Sequence, residues 1–143
     1  MASQWFWDRW LLVVAWILVV FGLLFALFNQ SWPLDLIFNQ RINSAFWPGG
    51  LAIDNIESFQ AWIYGVLGAT LSGWAVFLVF MVRHPFKRRE GWAWNCIFAG
   101  ITLWFVVDTA ISAYFGVVIN VVLNVALAAS VYLPLFATRR QFI

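Results

Sequence analysis

The chain is poor in charge. Asp, Glu, Lys and Arg make up 10% of its 143 residues, whereas a soluble domain needs about 25% to cover its surface. That shortage excludes a separate water-soluble domain. Hydrophobic residues at 64% and a mean hydropathy of +0.87 point to lipid as the solvent for most of the surface. The single cysteine, Cys96, excludes an intrachain disulfide and a multi-cysteine metal site. The single histidine, His84, excludes a bis-histidine haem or a histidine-built zinc site within one chain. No Gly-rich phosphate loop of Walker or Rossmann type occurs. There is no internal repeat of the kind that builds transporters from duplicated halves.

The charge-free intervals locate the helices, because a hydrocarbon core of about 30 Å needs roughly 20 apolar helical residues. Arg9 to Asp35 leaves a span near 10–28, and Glu57 to Arg83 leaves one near 59–82. Between Glu90 and Arg139 the sole charge is Asp108, in an interval too long for one helix. Tyr114-Phe115-Gly116 at its middle divides it into spans near 92–113 and 117–137. The expected fold is all-α: a single domain over residues 1–143, with four transmembrane helices in a bundle. The first span is longer than a signal-peptide core and is followed by no small-x-small cleavage site, so it reads as a retained anchor.

Lysine and arginine set the expected orientation. Arg83, Lys87, Arg88 and Arg89 cluster between spans two and three, and Arg139 and Arg140 follow span four. The first loop instead carries Asp35, Asp54 and Glu57 against Arg41. Both termini and the basic loop are therefore expected in the cytoplasm. In RHPFKRREGW, contact of Arg83, Lys87, Arg88 and Arg89 with anionic lipid is a simpler reading than nucleic acid. Trp5, Trp7, Trp10, Trp32, Trp47, Trp62, Trp92 and Trp94 fall at or near span ends, as an interfacial belt requires, whereas Trp16, Trp74 and Trp104 lie deeper. Stacking on a pigment or aromatic ligand is the alternative reading of so many indoles. Cys96 is expected as a small buried hydrophobe. His84 is expected at the interface.

In SWPLDLIFNQRINSAFWPGG, Leu34, Ile37, Phe38, Ile42, Ala45 and Phe46 recur at helical spacing opposite Asp35, Asn39, Gln40, Arg41 and Asn43. This predicts a short amphipathic helix near 33–46, lying on the outer leaflet or serving as a lid over a cavity. Asp54 and Glu57, three apart, read as a capping box opening span two. Gly65, Ala69 and Gly73, with Gly68 and Ser72 beside them, form a small-residue stripe expected to let another helix, or a second subunit, pack closely.

The polar residues of the last two spans are few and regularly placed. Asp108 and Ser112 are four apart, as are Asn120 and Asn124, so each pair shares a helix face. Reflection about Gly116 sets Asp108 opposite Asn124, and Ser112 opposite Asn120. A carboxylate at that depth is costly, about 3 kcal/mol, and needs donors such as asparagine amides supply. One reading is an interhelical clamp, with Thr109 bonding back to the backbone. A second adds Gln60 and Tyr64 to make an outward pocket for a lipid-like or amphiphilic small molecule. A third uses Asp108 as the acid–base group of an enzyme or proton-coupled carrier.

The leading expectation is a non-enzymatic membrane protein with a structural or complex-subunit role. Its expected partners are lipids, a homo-oligomer or a larger membrane complex; no cofactor, metal or catalytic residue is assigned. The segments FQAWIYGVLGATLSGW, RHPFKRREGWAWN and WFVVDTAISAYFGVVINVVLN resemble a group of short bacterial four-span membrane proteins described only as hypothetical. The resemblance covers nearly the whole chain and implies a bacterial inner membrane. It implies no activity, cofactor or catalytic residue.

Overall fold

The computed structural model describes residues 2–49 and 56–142. Four helices in it are long and apolar enough to cross a membrane: α1 (Ala2–Phe28), α2 (Ile56–Met81), α3 (Gly91–Tyr114) and α4 (Val118–Thr138). The protein is a multi-pass, all-helical bundle. α1 begins eight residues before the expected start near residue 10, because charge ends the hydrocarbon without ending the helix. There the Arg9 guanidinium lies 3.6 Å from the centre of the Trp5 ring, and Asp8 finds a partner in a distant turn. The α3–α4 hairpin closes on Gly116, whose φ of 71° suits a residue without a side chain. Val117 N–H donates to Ser112 O and Gly116 N–H to Ala113 O, a Schellman cap that satisfies the last carbonyls of α3.

α1 packs along α2, α3 along α4, and α4 also along α1. α1 buries Leu11, Val14, Ala15, Leu18, Val19 and Gly22, a stripe at helical spacing. Opposite it, α2 buries Tyr64, Gly68, Ser72, Ala75 and Val79. The expected Gly65–Ala69–Gly73 stripe is therefore displaced by one position. Ala69 and Gly73 are exposed, and a Cβ on Gly73 would meet nothing within 4 Å. A Cβ on Gly65 would sit 3.6 Å from Ala26 O, an ordinary contact. The close approach lies at Gly22 and Gly68, and Ser72 Oγ donates across it to Val19 O at 3.0 Å. Several faces of α2 carry small residues, and only the partner's position selects one.

α4 is held by two indoles. Pro134 has no N–H to donate to Ser130 O, and Trp10 Nε1 of α1 donates there at 2.9 Å. At the helix end, Arg139 N–H turns to Phe136 O, and Leu135 O accepts from Trp94 Nε1 at 2.8 Å and, at 3.4 Å, from Thr138 Oγ1. Hydrocarbon offers no other donor to a freed carbonyl. Trp10→Phe is expected to cost about 1–3 kcal/mol, the penalty for an acceptor left without a donor away from water. Adding Pro134→Ala should restore much of that loss by returning the N–H to the helix. A double-mutant cycle on thermal unfolding in detergent checks this, and additive losses would sink it. Trp94 is thus a buried interhelical tie (8% exposed), not a belt residue.

α2 ends in a π-helical turn, Val82–Phe86, which contains Pro85. Arg89 follows with a φ of 61° and donates both Nη1 and Nη2 to the Asp8 carboxylate, at 2.7 Å each. Its guanidinium is engaged by α1, so Arg89 is not the free lipid contact expected of it. Arg83 and Lys87 are exposed, while Arg88 pairs with Glu90 at 2.7 Å. The Trp92 indole N–H, donating at 2.6 Å, and the Arg88 guanidinium hold the Glu90 carboxyl below the usual carboxylate range. His84 is exposed and stacks on Phe80. Cys96 is also exposed, contrary to the buried position expected, because the buried face of α3 runs through Ala93, Trp94, Ile97 and Ile101. Asp54, the proposed cap of span two, lies outside the described residues; Glu57 is in the first turn of α2.

Candidate functional site

The segment joining α1 to α2 is helical in three pieces: Trp32–Leu34, a π-helical Asp35–Asn39, and Gln40–Phe46. The π turn places an extra residue in the rotation and carries Asn39 from the expected polar face into the interior, where it is 7% exposed. Asn39 Nδ2 donates to Asn29 O at 3.1 Å, and Asn29 Nδ2 to Ala61 O of α2 at 3.2 Å. Asn43 Oδ1 accepts from Gln60 Nε2 at 2.7 Å. Phe38 packs on Phe21 and Phe25 of α1, and Phe46 on Phe115 beyond the end of α3. The segment thus touches both helix pairs and bridges them as a lid.

Beneath the lid is a cavity of about 580 Å³. Phe38 and Ile42 of the lid and Phe21 and Phe25 of α1 line its upper part; Tyr64, Trp74 and Trp104 add aromatic wall. Leu67, Leu71 and Trp74 of α2 and Gly100 and Trp104 of α3 line it, so both helices contribute wall. Gly100 lines it on α3, and a Cβ there would meet nothing within 4 Å.

The polar residues of the wall on α3 and α4 are Asp108, Asn120 and Asn124, and those on α2 are Tyr64 and Thr70. Asp108 Oδ1 accepts three donors: Asn120 Nδ2 at 2.6 Å, Asn124 Nδ2 at 2.8 Å and Ser112 Oγ at 3.1 Å. Asn120 Nδ2 also donates to Ser112 Oγ at 2.8 Å, and Asn124 Nδ2 to Thr109 Oγ1 at 3.3 Å. The carboxyl therefore ties α3 to α4 through one oxygen. No group among the described residues donates to the other, Oδ2. Nor is Oδ2 sealed away: among the described residues, the buried side-chain atoms without partners are Asn39 Oδ1 and Gln141 Oε1.

The residues singled out in the sequence divide into three groups. Asp108, Asn120, Asn124 and Tyr64 line the cavity. Ser112 and Thr109 stand behind the carboxyl as hydrogen-bond partners, and Thr109 meets Asn124 in place of the backbone bond expected of it. Gln60 joins neither set and instead links Asn43 of the lid to the Tyr64 hydroxyl, donating at 2.9 Å to the latter. Asn29 and Asn39 were missed. The signal available for them was a pair of amides immediately after an apolar run and on a lid whose helical register changes midway.

Among the described residues, no three His, Cys, Asp or Glu side chains are grouped so as to hold a metal ion. Comparison with known proteins adds nothing to this geometry: no family model, curated protein or solved structure matches the chain.

Proposed function

We propose that this is a non-enzymatic membrane protein that holds one amphiphilic small molecule, with its chain against the aromatic walls and its head at Asp108. The observation that carries this reading is the lidded cavity of about 580 Å³ with one polar corner. Its size and composition fall in the range of small-molecule sites. The interhelical clamp belongs to the same reading: Oδ1 serves the hairpin, while Oδ2 has no donor among the described residues and is left for a ligand. With the basic turn toward the cytoplasm, as lysine and arginine placement favours, the lid lies at the outer leaflet. A bacterial inner membrane fits the resemblance of the sequence.

Filling the cavity tests this. Gly100→Phe places a ring where a Cβ finds open space, so the fold should survive while the ligand volume is lost. Native mass spectrometry of the protein titrated with a single-chain neutral amphiphile should show a one-to-one adduct in the wild type. The adduct should weaken by about tenfold or more in Gly100→Phe, corresponding to roughly 1.4 kcal/mol or more of lost binding. Equal binding by both proteins would rule out the cavity as the site.

A further inference from the structure

We infer that the cavity selects an amphiphile with an ammonium head, a single positively charged nitrogen on one apolar chain. This rests on the amphiphile-binding reading above and names the chemistry of its ligand. The first support is the division of labour within Asp108. Ser112, Asn120 and Asn124 all donate to Oδ1, and both amide groups have a second acceptor in Ser112 or Thr109. The donors of the polar corner are thus spent on one another. What Asp108 itself offers a ligand is Oδ2, an acceptor, and an acceptor of this kind is matched by a charged N–H or by a cation.

The second support is the rest of the wall. Among the described residues, no lysine, arginine or histidine lines the cavity. Arg41 of the lid is exposed and outside it. A carboxylate or phosphate head would therefore face Asp108 with no compensating charge. The third support is aromatic. Tyr64 is eight residues in from the lid-side start of α2, and Asp108 six from the lid-side end of α3. At about 1.5 Å per residue they lie at similar depth, roughly 9–12 Å. Trp104 precedes Asp108 by four residues on the same face, and Phe25 lies 5.0 Å from Tyr64, centre to centre. Ring faces beside a carboxyl attract ammonium groups, methylated ones included.

The test is a competition in nonionic detergent between four probes of one chain length: dodecylamine, dodecyltrimethylammonium, dodecanol and dodecanoate. At least one ammonium probe should bind the wild type about tenfold tighter than dodecanol, as a charge-assisted contact provides, with dodecanoate weakest. A preference for dodecylamine would assign the contact to a hydrogen bond on Oδ2; a preference for the trimethylated probe would assign it to the Asp108 charge with the rings beside it. Asp108→Asn should bring the ammonium probes down to the level at which dodecanol binds that same variant. Should that variant not fold, the wild-type ranking decides alone. Dodecanol equal to both ammonium probes in the wild type, or an ammonium preference that persists in Asp108→Asn, overturns the inference. If dodecanol binding is then still lost in Gly100→Phe, the cavity reading stands without it; if Gly100→Phe binds every probe as the wild type does, the cavity reading itself has failed.

Discussion

Gly68→Leu should abolish the folded bundle, whereas Gly73→Leu, one and a half turns along the same helix, should leave its stability unchanged. A Cβ on Gly68 would lie 2.5 Å from both Ala26 N and Gly22 O. These are backbone atoms, which no rotamer change can move, so α1 and α2 must separate. Separation also breaks the bond from Ser72 Oγ to Val19 O and loosens the stripe from Leu11 to Val19. In lipid, close packing of this kind is the main attraction between helices, since hydrocarbon competes on equal terms for apolar surface. Gly68→Ala should already cost about 3 kcal/mol, the upper part of the range for overpacking, and leucine more. Gly73 faces outward into open space. Thermal unfolding and size-exclusion profiles in detergent separate the two. A stable, monodisperse Gly68→Leu protein is incompatible with the α1–α2 contact described here.

Asp108→Leu should insert into the membrane at least as well as the wild type yet unfold at a markedly lower temperature. Two effects oppose each other. Removing the carboxyl relieves an insertion cost of about 3 kcal/mol at the helix centre. It also removes the acceptor that Ser112, Asn120 and Asn124 share. Hydrogen bonds between membrane helices are worth about 0.6–1.7 kcal/mol each, so the two from Asn120 and Asn124 of α4 put the loss at about 1–3 kcal/mol. The first effect acts on insertion of the separate helices and the second on their association, so they do not cancel in an unfolding measurement. Asp108→Asn keeps an acceptor oxygen toward α4 and should stay within about 1 kcal/mol of the wild type. Equal unfolding temperatures for the leucine and asparagine variants would mean that the cluster does not hold the hairpin.

The clamp and the pocket entered as rival readings of the same polar residues, and in the structure Asp108 both accepts from α4 through Oδ1 and lines the cavity. No count of residues could have shown this, because Oδ1 and Oδ2 belong to one side chain. The same limit applies to Arg89. Its place in a basic run suggests an exposed lipid contact, but Asp8 lies far away in the chain and takes both guanidinium nitrogens. Ser130 carries no sequence signal at all; Pro134 does, by lacking a donor, and only the approach of Trp10 shows how the freed carbonyl is used.

By itself the sequence determined that the chain crosses a membrane as four helices, since scarcity of charge and the length of apolar runs depend on composition and on the thickness of hydrocarbon. It also determined the hairpin at Gly116 and the similar depth of Asp108, Ser112, Asn120 and Asn124, because position along a helix is a matter of counting from a turn. Only the tertiary structure decided which face each helix presents. Rotation about a helix axis costs almost nothing in apolar lipid until a neighbour arrives. Gly68 rather than Gly73, Asn39 facing inward, Cys96 facing outward and the cavity under the lid all follow from where those neighbours lie.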